Sequence, residues 1–260
     1  MSNALLALVL FGAGLIIGPW LGVIVDRAVE RERLAPVHRC QDCRTVVSGG
    51  ALVPVWNWFL RCSSGPDHRR SRYVLVDLAS AVVFAVAGLR FGLTWPLGPY
   101  LLFFAALVVM SVIDFETHLL LNVLTYPTLF AGVFLVLLLS GPTGAEDRVW
   151  PALIGAAVYG GVLGVAFLVY PPGLGLGDVK LAPTLGLFIG WLSVDVLVAV
   201  RLVFYAMIVA FLLGGLGGVA VNLVRRRGMR AEIPMGPFLA LGAGLMIAVS
   251  SPSISGLLAP

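Results

Sequence analysis

Long uncharged apolar runs alternate along the chain with short segments rich in arginine. A membrane-spanning helix needs about 20 mostly apolar residues, because the hydrocarbon core is about 30 Å thick. The stretch 181–224 is interrupted only by Asp195 and Arg201, which predicts two helices joined by a tight turn. The whole pattern predicts eight helices, at about 4–25, 73–91, 97–114, 120–140, 150–170, 181–197, 199–223 and 235–257.

The runs are apolar on every side, whereas strands of a membrane barrel alternate polar and apolar residues. We therefore expect an all-α fold, a polytopic transmembrane helical bundle of about eight spans. The first run has no basic segment before it and no evident cleavage site, so we expect a retained helix rather than a signal peptide. The expected domains are a first transmembrane helix at 1–25, a cytoplasmic loop domain at 26–72 and a seven-helix membrane core at 73–260.

Composition agrees with a membrane protein. Of the 260 residues, 60% are hydrophobic and only 12% are charged, whereas roughly a quarter of an average soluble domain is charged. This composition excludes an ordinary soluble enzyme and a disordered chain, both of which need more polar residues. A charge inside lipid is costly, so the position of each charged residue is informative.

Basic residues are strongly biased to one side of the predicted bundle. Fourteen of the seventeen lie in the segment between the first two spans, in the cluster near Arg225 or at Lys180. Since Lys and Arg accumulate in cytoplasmic loops, this bias predicts that these loops are cytoplasmic and that the N-terminus lies outside. The loops have no aromatic platform interleaved with the arginines, so we expect contact with the lipid bilayer, including anionic head groups, and no nucleic acid.

Most acids have an ordinary structural explanation. We expect Asp77 in the first turn of the second helix, where an acid suits the helix dipole, and Asp195 on an outer turn. Glu116 is expected to be solvated and His118 to form a hydrogen bond in a short border loop. Two other acids, Asp114 and Asp178, lie where apolar runs meet the cytoplasmic border. Gly175 and Gly177 precede Asp178, and they allow another chain or an extended substrate to come close to the backbone.

Paired carboxylates suit general acid and base catalysis. Held close together they cannot both ionise, so one keeps a proton while the other activates a water molecule. Such a pair predicts aspartyl proteolysis. Lys180 either tunes the charge of the pair, binds the substrate backbone or serves only the membrane topology, and the sequence favours none of these roles. A proton or cation relay in a membrane transporter uses the same residue types, and charge placement alone favours neither hypothesis.

Three ordered motifs resemble the bacterial type IV prepilin leader peptidases, which are polytopic aspartyl proteases with a Gly-x-Gly-Asp motif. The central match is Gly175-Leu176-Gly177-Asp178-Val179-Lys180-Leu181. The first aspartate block is Ile113-Asp114 followed by Asn122-Val123-Leu124-Thr125-Tyr126-Pro127, with Leu120-Leu121 where the family commonly has Ile-Pro. The C-terminal block is Glu232-Ile233-Pro234-Met235-Gly236-Pro237-Phe238.

The resemblance implies a catalytic pair of Asp114 and Asp178, supported by Gly175, Gly177, Lys180, Pro234, Gly236 and Pro237. Family members cleave the basic leader from prepilins and pseudopilins at the cytoplasmic face of the bacterial inner membrane, and proteolysis needs no cofactor. The transporter alternative predicts internal repeats with broken helices in matching positions. We find no convincing repeat between the two halves of the chain.

The first loop contains all three cysteines. Many family members have two Cys-x-x-Cys pairs here that resemble a four-thiolate zinc site. In this chain only Cys40 and Cys43 form such a pair, and Cys62 stands alone. The resemblance therefore implies a structural zinc ion on Cys40, Cys43 and Cys62 with His68 or His38 as fourth ligand, and loss of the metal is the alternative.

Bifunctional family members also methylate the new N-terminus with S-adenosylmethionine. That activity is associated with the same loop region, where this chain departs from the family pattern. Near the end of the first span it has Gly18-Pro19-Trp20-Leu21-Gly22 in place of the typical Gly-Ser-Phe-Leu-Asn. The sequence leaves methylation open, and S-adenosylmethionine is expected only if that activity is present.

Overall fold

A computed structural model describes residues 2–31, 68–171, 174–225 and 234–250. Within these ranges all regular structure is helical and no strand occurs, which confirms the all-α prediction. The eight α-helices of the described ranges are α1 (Asn3–Arg31), α2 (His68–Phe91), α3 (Leu97–Thr117), α4 (Asn122–Ser140), α5 (Val149–Val169), α6 (Leu176–Gly190), α7 (Val196–Arg225) and α8 (Gly236–Val249).

Six of these helices are long and apolar enough to cross a membrane, so the chain is a multi-pass membrane protein. They are α1 to α5 and α7, while α6 and α8 have 15 and 14 residues. At 1.5 Å per residue, the two short helices are shorter than a full hydrocarbon core. A bundle of membrane helices is therefore confirmed, with six long helices in the described ranges.

The helix α6 begins and ends earlier than its predicted span. Gly175 is extended (φ −71°, ψ 140°), and the helix starts directly after it at Leu176. The predicted turn near Asp195 is present, because the Asp195 carboxylate accepts hydrogen bonds from the N–H groups of Leu197 (2.6 Å) and Val198 (3.3 Å). These bonds satisfy donors that the first turn of α7 leaves without helical partners.

Contacts along the chain form two compact units, residues 1–113 and 114–260. In the first unit α1 packs on α2 through small residues. A Cβ atom at Gly14 would lie 2.5 Å from the Ala81 Cα, and one at Gly18 would lie 2.5 Å from the Asp77 Oδ1. The two helices therefore approach closely only because these positions are glycine.

The position of Asp77 differs from the prediction. The helix α2 begins at His68 rather than near residue 73, so Asp77 lies more than two turns inside the helix. Its side chain is fully buried against α1, which excludes the expected role in the first turn. The polar residues that precede the apolar run extend the helix, and hydropathy alone placed its start too late.

The second unit is organised around α6, which packs closely against α5 through glycines. Cβ atoms at Gly155 of α5 or at Gly186 and Gly190 of α6 would overlap the backbone of the facing helix. Ten residues of α6 are buried, including Asp178. At its end, the Trp191 indole N–H donates to the Ser140 hydroxyl over 3.1 Å, which ties α6 to α4. Neighbouring helices thus fix the axis of the short helix.

Candidate active site

Asp114 lies in the last turn of α3, and only 4% of its surface is exposed. Its Oδ2 accepts a hydrogen bond of 2.9 Å from the Gly236 N–H at the start of α8. A Cβ atom at Gly236 would lie 2.6 Å from the same oxygen, so the donor approaches the carboxylate only as glycine. Pro237 follows within the first turn, where the missing N–H of proline leaves no helical bond broken.

Asp178 lies in the first turn of α6 and is 6% exposed. Its carboxylate accepts a hydrogen bond from the backbone of Gly175, the extended residue before the helix. A Cβ atom at Gly175 would lie 3.0 Å from the Asp178 Oδ2, so a side chain there would press on the carboxylate. The glycine thus donates to Asp178 and leaves space around it.

The two carboxylates lie close enough to interact electrostatically. Burial and, second, the negative charge of Asp114 raise the pKa of Asp178 from 3.8 to about 7, against a smaller opposing effect of the Gly175 hydrogen bond. Asp178 precedes the apolar body of α6 and lies outside the six long helices. At neutral pH Asp178 therefore keeps its proton in a substantial fraction of molecules, which suits joint acid and base chemistry.

The space beside the backbone of Gly177 is occupied by another residue of the same chain. The sequence predicted that another chain or a substrate approaches this backbone, but a Cβ atom at Gly177 would lie 2.8 Å from the Cβ of Leu120. Leu120 is buried in the connection between α3 and α4. The backbone of Gly177 is thus approached by a residue of the same chain, whereas Gly175, two residues earlier, is exposed.

Lys180 is bound by neutral groups. Its Nζ donates a 2.8 Å hydrogen bond to the Asn122 Oδ1 and lies 5.9 Å from the centre of the Tyr126 ring. Asn122 and Tyr126 are four residues apart on α4, so they share one face of that helix. Within the described ranges no hydrogen bond or ion pair joins Lys180 to an aspartate, and a role of Lys180 in tuning the charge of the pair stays a prediction. Sequence reasoning missed these two partners, although both residues belong to the first aspartate block.

His118 ends α3 in a left-handed conformation. Its φ is 53°, which is uncommon for a residue other than glycine. The His118 N–H donates to the Asp114 backbone oxygen at 2.8 Å, while its side chain is exposed. This backbone bond closes the helix that positions Asp114, and the hydrogen bond expected of the His118 side chain stays a prediction.

The remaining predicted site residues are only partly described. Pro234 is half-buried directly before α8. Cys40, Cys43, Cys62 and His38 lie outside the described residues, and His68 is the first residue of α2 without a described side chain. Within the described ranges, no three His, Cys, Asp or Glu side chains come together as a metal site.

Comparison with known proteins gives one consistent family. The model of the type IV leader peptidase family matches residues 101–219, and that of the bacterial peptidase A24 N-terminal domain matches residues 13–91. Similar proteins named prepilin leader peptidase/N-methyltransferase come from Burkholderia pseudomallei (30% identical, 92% of this chain and 84% of the relative) and Bacillus subtilis (28% identical, 90% and 91%). A third, from Stutzerimonas stutzeri, is 28% identical over 93% of this chain and 89% of its own length. No solved structure matches significantly.

Proposed function

Because the chain belongs to the type IV leader peptidase family, we propose that it is a prepilin leader peptidase. On this proposal it is a membrane aspartyl endopeptidase that removes the basic leader from prepilins or pseudopilins. The observation that supports this most directly is the pair of buried, electrostatically interacting carboxylates, Asp114 and Asp178. The relatives are named as peptidases, which favours this function over the transporter.

The reaction needs one proton on the pair. The ionised carboxylate takes a proton from a water molecule while the oxygen of that water bonds to the scissile carbonyl carbon. The protonated carboxyl group donates its proton to the departing amine as the C–N bond breaks. One water is consumed, two peptides are released and no covalent enzyme intermediate forms. The Gly236 N–H and the Gly175 backbone keep the two carboxylates oriented for these transfers.

We propose that the reaction takes place at the cytoplasmic face of the bacterial inner membrane. The support is the charge distribution of the sequence, because the Arg-rich segments and Lys180 belong to the same predicted side. Asp114 ends α3 and Asp178 begins α6, and these are helix ends that the charge pattern predicts to face the cytoplasm. This location also suits a substrate whose basic leader stays in the cytoplasm.

Methylation is a second candidate activity. The named relatives are also N-methyltransferases, and the N-terminal family model matches residues 13–91. S-adenosylmethionine would supply the methyl group for the new N-terminal amine. Zinc on Cys40, Cys43, Cys62 and His68 remains a proposal from family resemblance, and no step of the peptide cleavage depends on it.

The peptidase assignment is tested with Asp114→Asn and Asp178→Asn in membranes containing a prepilin substrate. Each variant should lose cleavage by at least about a thousandfold, because the amide neither activates water nor donates a carboxyl proton. Asp195→Asn is the matched control, since asparagine also caps a helix and Asp195 lies at the opposite end of α6 from Asp178.

Mass spectrometry of the product would report both activities. The new N-terminus gives the cleavage site, and an added methyl group shows methyl transfer. Retained cleavage in a correctly folded Asp114→Asn or Asp178→Asn variant would overturn the assignment. Proton-coupled flux without any cleavage by the wild type would instead favour the transporter.

A further inference from the structure

A buried hydroxyl group near the candidate active site takes no part in the reaction described above. Tyr159 belongs to α5, none of its surface is exposed, and its hydroxyl has no hydrogen-bond partner in the described ranges. Burying such a group without a partner is costly, so its position calls for an explanation. Gly155 and Leu163, four residues before and after it on the same face of α5, offer no polar side chain.

Helix packing places Tyr159 against α6. A Cβ atom at Gly186 would lie 2.9 Å from the Tyr159 Cβ, so the tyrosine belongs to the glycine contact between the two helices. At the next residue of α5, a Cβ atom at Gly160 would lie 2.7 Å from the Pro183 Cγ. The ring is thus held between α5 and α6, and its hydroxyl lies close enough to Asp178 to interact with it electrostatically.

Pro183 adds a hydrogen-bond acceptor to the same contact. A proline inside a helix has no N–H, so the Val179 carbonyl, four residues earlier, lacks the donor that a regular helix provides. Val179 also faces α5, because a Cβ atom at Gly164 would lie 3.8 Å from its Cγ1. The contact of α5 with α6 therefore carries three polar groups, the Tyr159 hydroxyl, the Val179 carbonyl and the Asp178 carboxyl.

We propose that Tyr159 is a positioning residue for Asp178, acting through water bound between α5 and α6. This inference rests on the proposed peptidase function. The Tyr159 hydroxyl donates to the water, which donates in turn to the Val179 carbonyl and to the Asp178 carboxylate. The water then has three polar partners, as buried waters usually do. Donation to the carboxylate orients Asp178 and favours its ionised form.

The other ionisable groups on the helices around Asp178 stay the same when wild type is compared with Tyr159→Phe. They include Asp114, Glu116 and His118 at the end of α3, Tyr126 on α4, Lys180 on α6, and Arg201 and Tyr205 on α7, whereas α8 has none. Burial and the charge of Asp114 act on Asp178 in both proteins alike. A difference in the pKa of Asp178 therefore reports the Tyr159 hydroxyl.

The kinetic test removes the hydroxyl and keeps the ring. In Tyr159→Phe the Asp178 carboxylate loses a donor, so its pKa should rise and the alkaline limb of kcat/KM should move up by about half to one pH unit. At the pH optimum kcat should fall about tenfold, with little change in KM because the fully buried phenol does not contact substrate. Tyr205→Phe, at an exposed tyrosine of α7, is the matched control and should leave limb and kcat unchanged.

An infrared titration of the full-length protein tests the same contact without substrate. The carboxyl stretching band that disappears in Asp178→Asn reports the proton on Asp178, and its midpoint should lie about half to one pH unit higher in Tyr159→Phe than in the wild type. Pro183→Ala gives the Val179 carbonyl a helical donor, so it should move the midpoint in the same direction by a smaller amount.

Each other outcome overturns the inference. Equal midpoints and equal alkaline limbs in Tyr159→Phe and the wild type, even if kcat falls, give the tyrosine a packing role only. A lower midpoint in Tyr159→Phe would show that the hydroxyl favours the protonated form, and an unchanged midpoint in Pro183→Ala would reject the bridging water. Absence of cleavage by the wild type is a separate failure, because it rejects the peptidase function while the infrared titration still measures the contact.

Discussion

At the scale of single residues, proton sharing between Asp114 and Asp178 determines how the enzyme responds to pH. Asp178 is buried, and the negative charge of Asp114 further disfavours its ionised form. Its pKa is therefore raised to about 7 rather than lowered. The acid form persists at a pH where an exposed aspartate has lost its proton.

This raised pKa gives a pH prediction. Catalysis by the pair needs one proton, and that proton leaves as the pH rises past about 7. We expect kcat/KM to fall toward a tenfold loss per pH unit above that value, with the alkaline limb describing the free enzyme. Initial rates between pH 5 and pH 9, with the fold monitored at each pH, measure this limb. A rate that stays constant up to pH 9 would contradict the assignment of the proton to this pair.

The sequence predicted the residues of this site better than their contacts. Asp114 and Asp178 stand out because few charges interrupt the apolar runs. The partner of Lys180 was not predictable, because it depends on how α4 and α6 align across 58 positions of sequence. The same limit applies to Gly177, since only the packed structure brings Leu120 against it.

At the scale of helices, glycines allow the closest contacts in both units. The contact of α5 with α6 determines the position of the helix that begins beside Asp178. In a membrane the apolar side chains gain little from leaving lipid, so close backbone packing supplies much of the stability. A single methyl group added at this contact should therefore measurably lower the free energy of unfolding.

The element-scale prediction compares Gly186→Ala with Gly161→Ala. A Cβ atom at Gly186 overlaps the Gly155 backbone, whereas one at Gly161 has no atom within 4 Å. Overpacking of this kind typically costs about 1–3 kcal/mol, so Gly186→Ala should unfold several degrees lower in detergent. Gly161→Ala should unfold close to the wild-type temperature. Equal unfolding temperatures for the two variants would show that α5 and α6 do not pack this closely.

Helix existence was predictable from the sequence, but helix limits were less so. Apolar runs predict the long helices because about 20 consecutive apolar residues in a helix match the thickness of the hydrocarbon core. The start of α2 was placed too late, because the residues before Tyr73 are polar and give no hydropathy signal. The start of α6 depends on the extended backbone of Gly175, which no hydropathy pattern reports.

At the scale of the whole molecule, two family models together match most of the chain and support a membrane peptidase with an additional N-terminal region. The division of the sequence into residues 1–25, 26–72 and 73–260 stays a prediction. The segment 26–72 holds all three cysteines, so a metal bound there would couple to the folding of this segment.

The whole-molecule prediction concerns that metal. If Cys40, Cys43, Cys62 and His68 form a structural site, the purified protein should contain about one zinc ion per chain. Cys40→Ser should lose the metal, whereas His118→Ala, a histidine outside the proposed set, should keep it. Elemental analysis after removal of loosely bound ions measures both variants. A wild-type content below about a tenth of an equivalent would end the zinc proposal.

The hydrogen bond between Gly236 and Asp114 also has a consequence for the order of events during synthesis. The two residues are separated by 122 positions, so the carboxylate leaves the ribosome long before its backbone donor. During that interval the newly made chain contains the acidic residue but lacks the group that orients it. The hydrolytic centre is therefore completed only when α8 docks, after every other helix of the described ranges has left the ribosome.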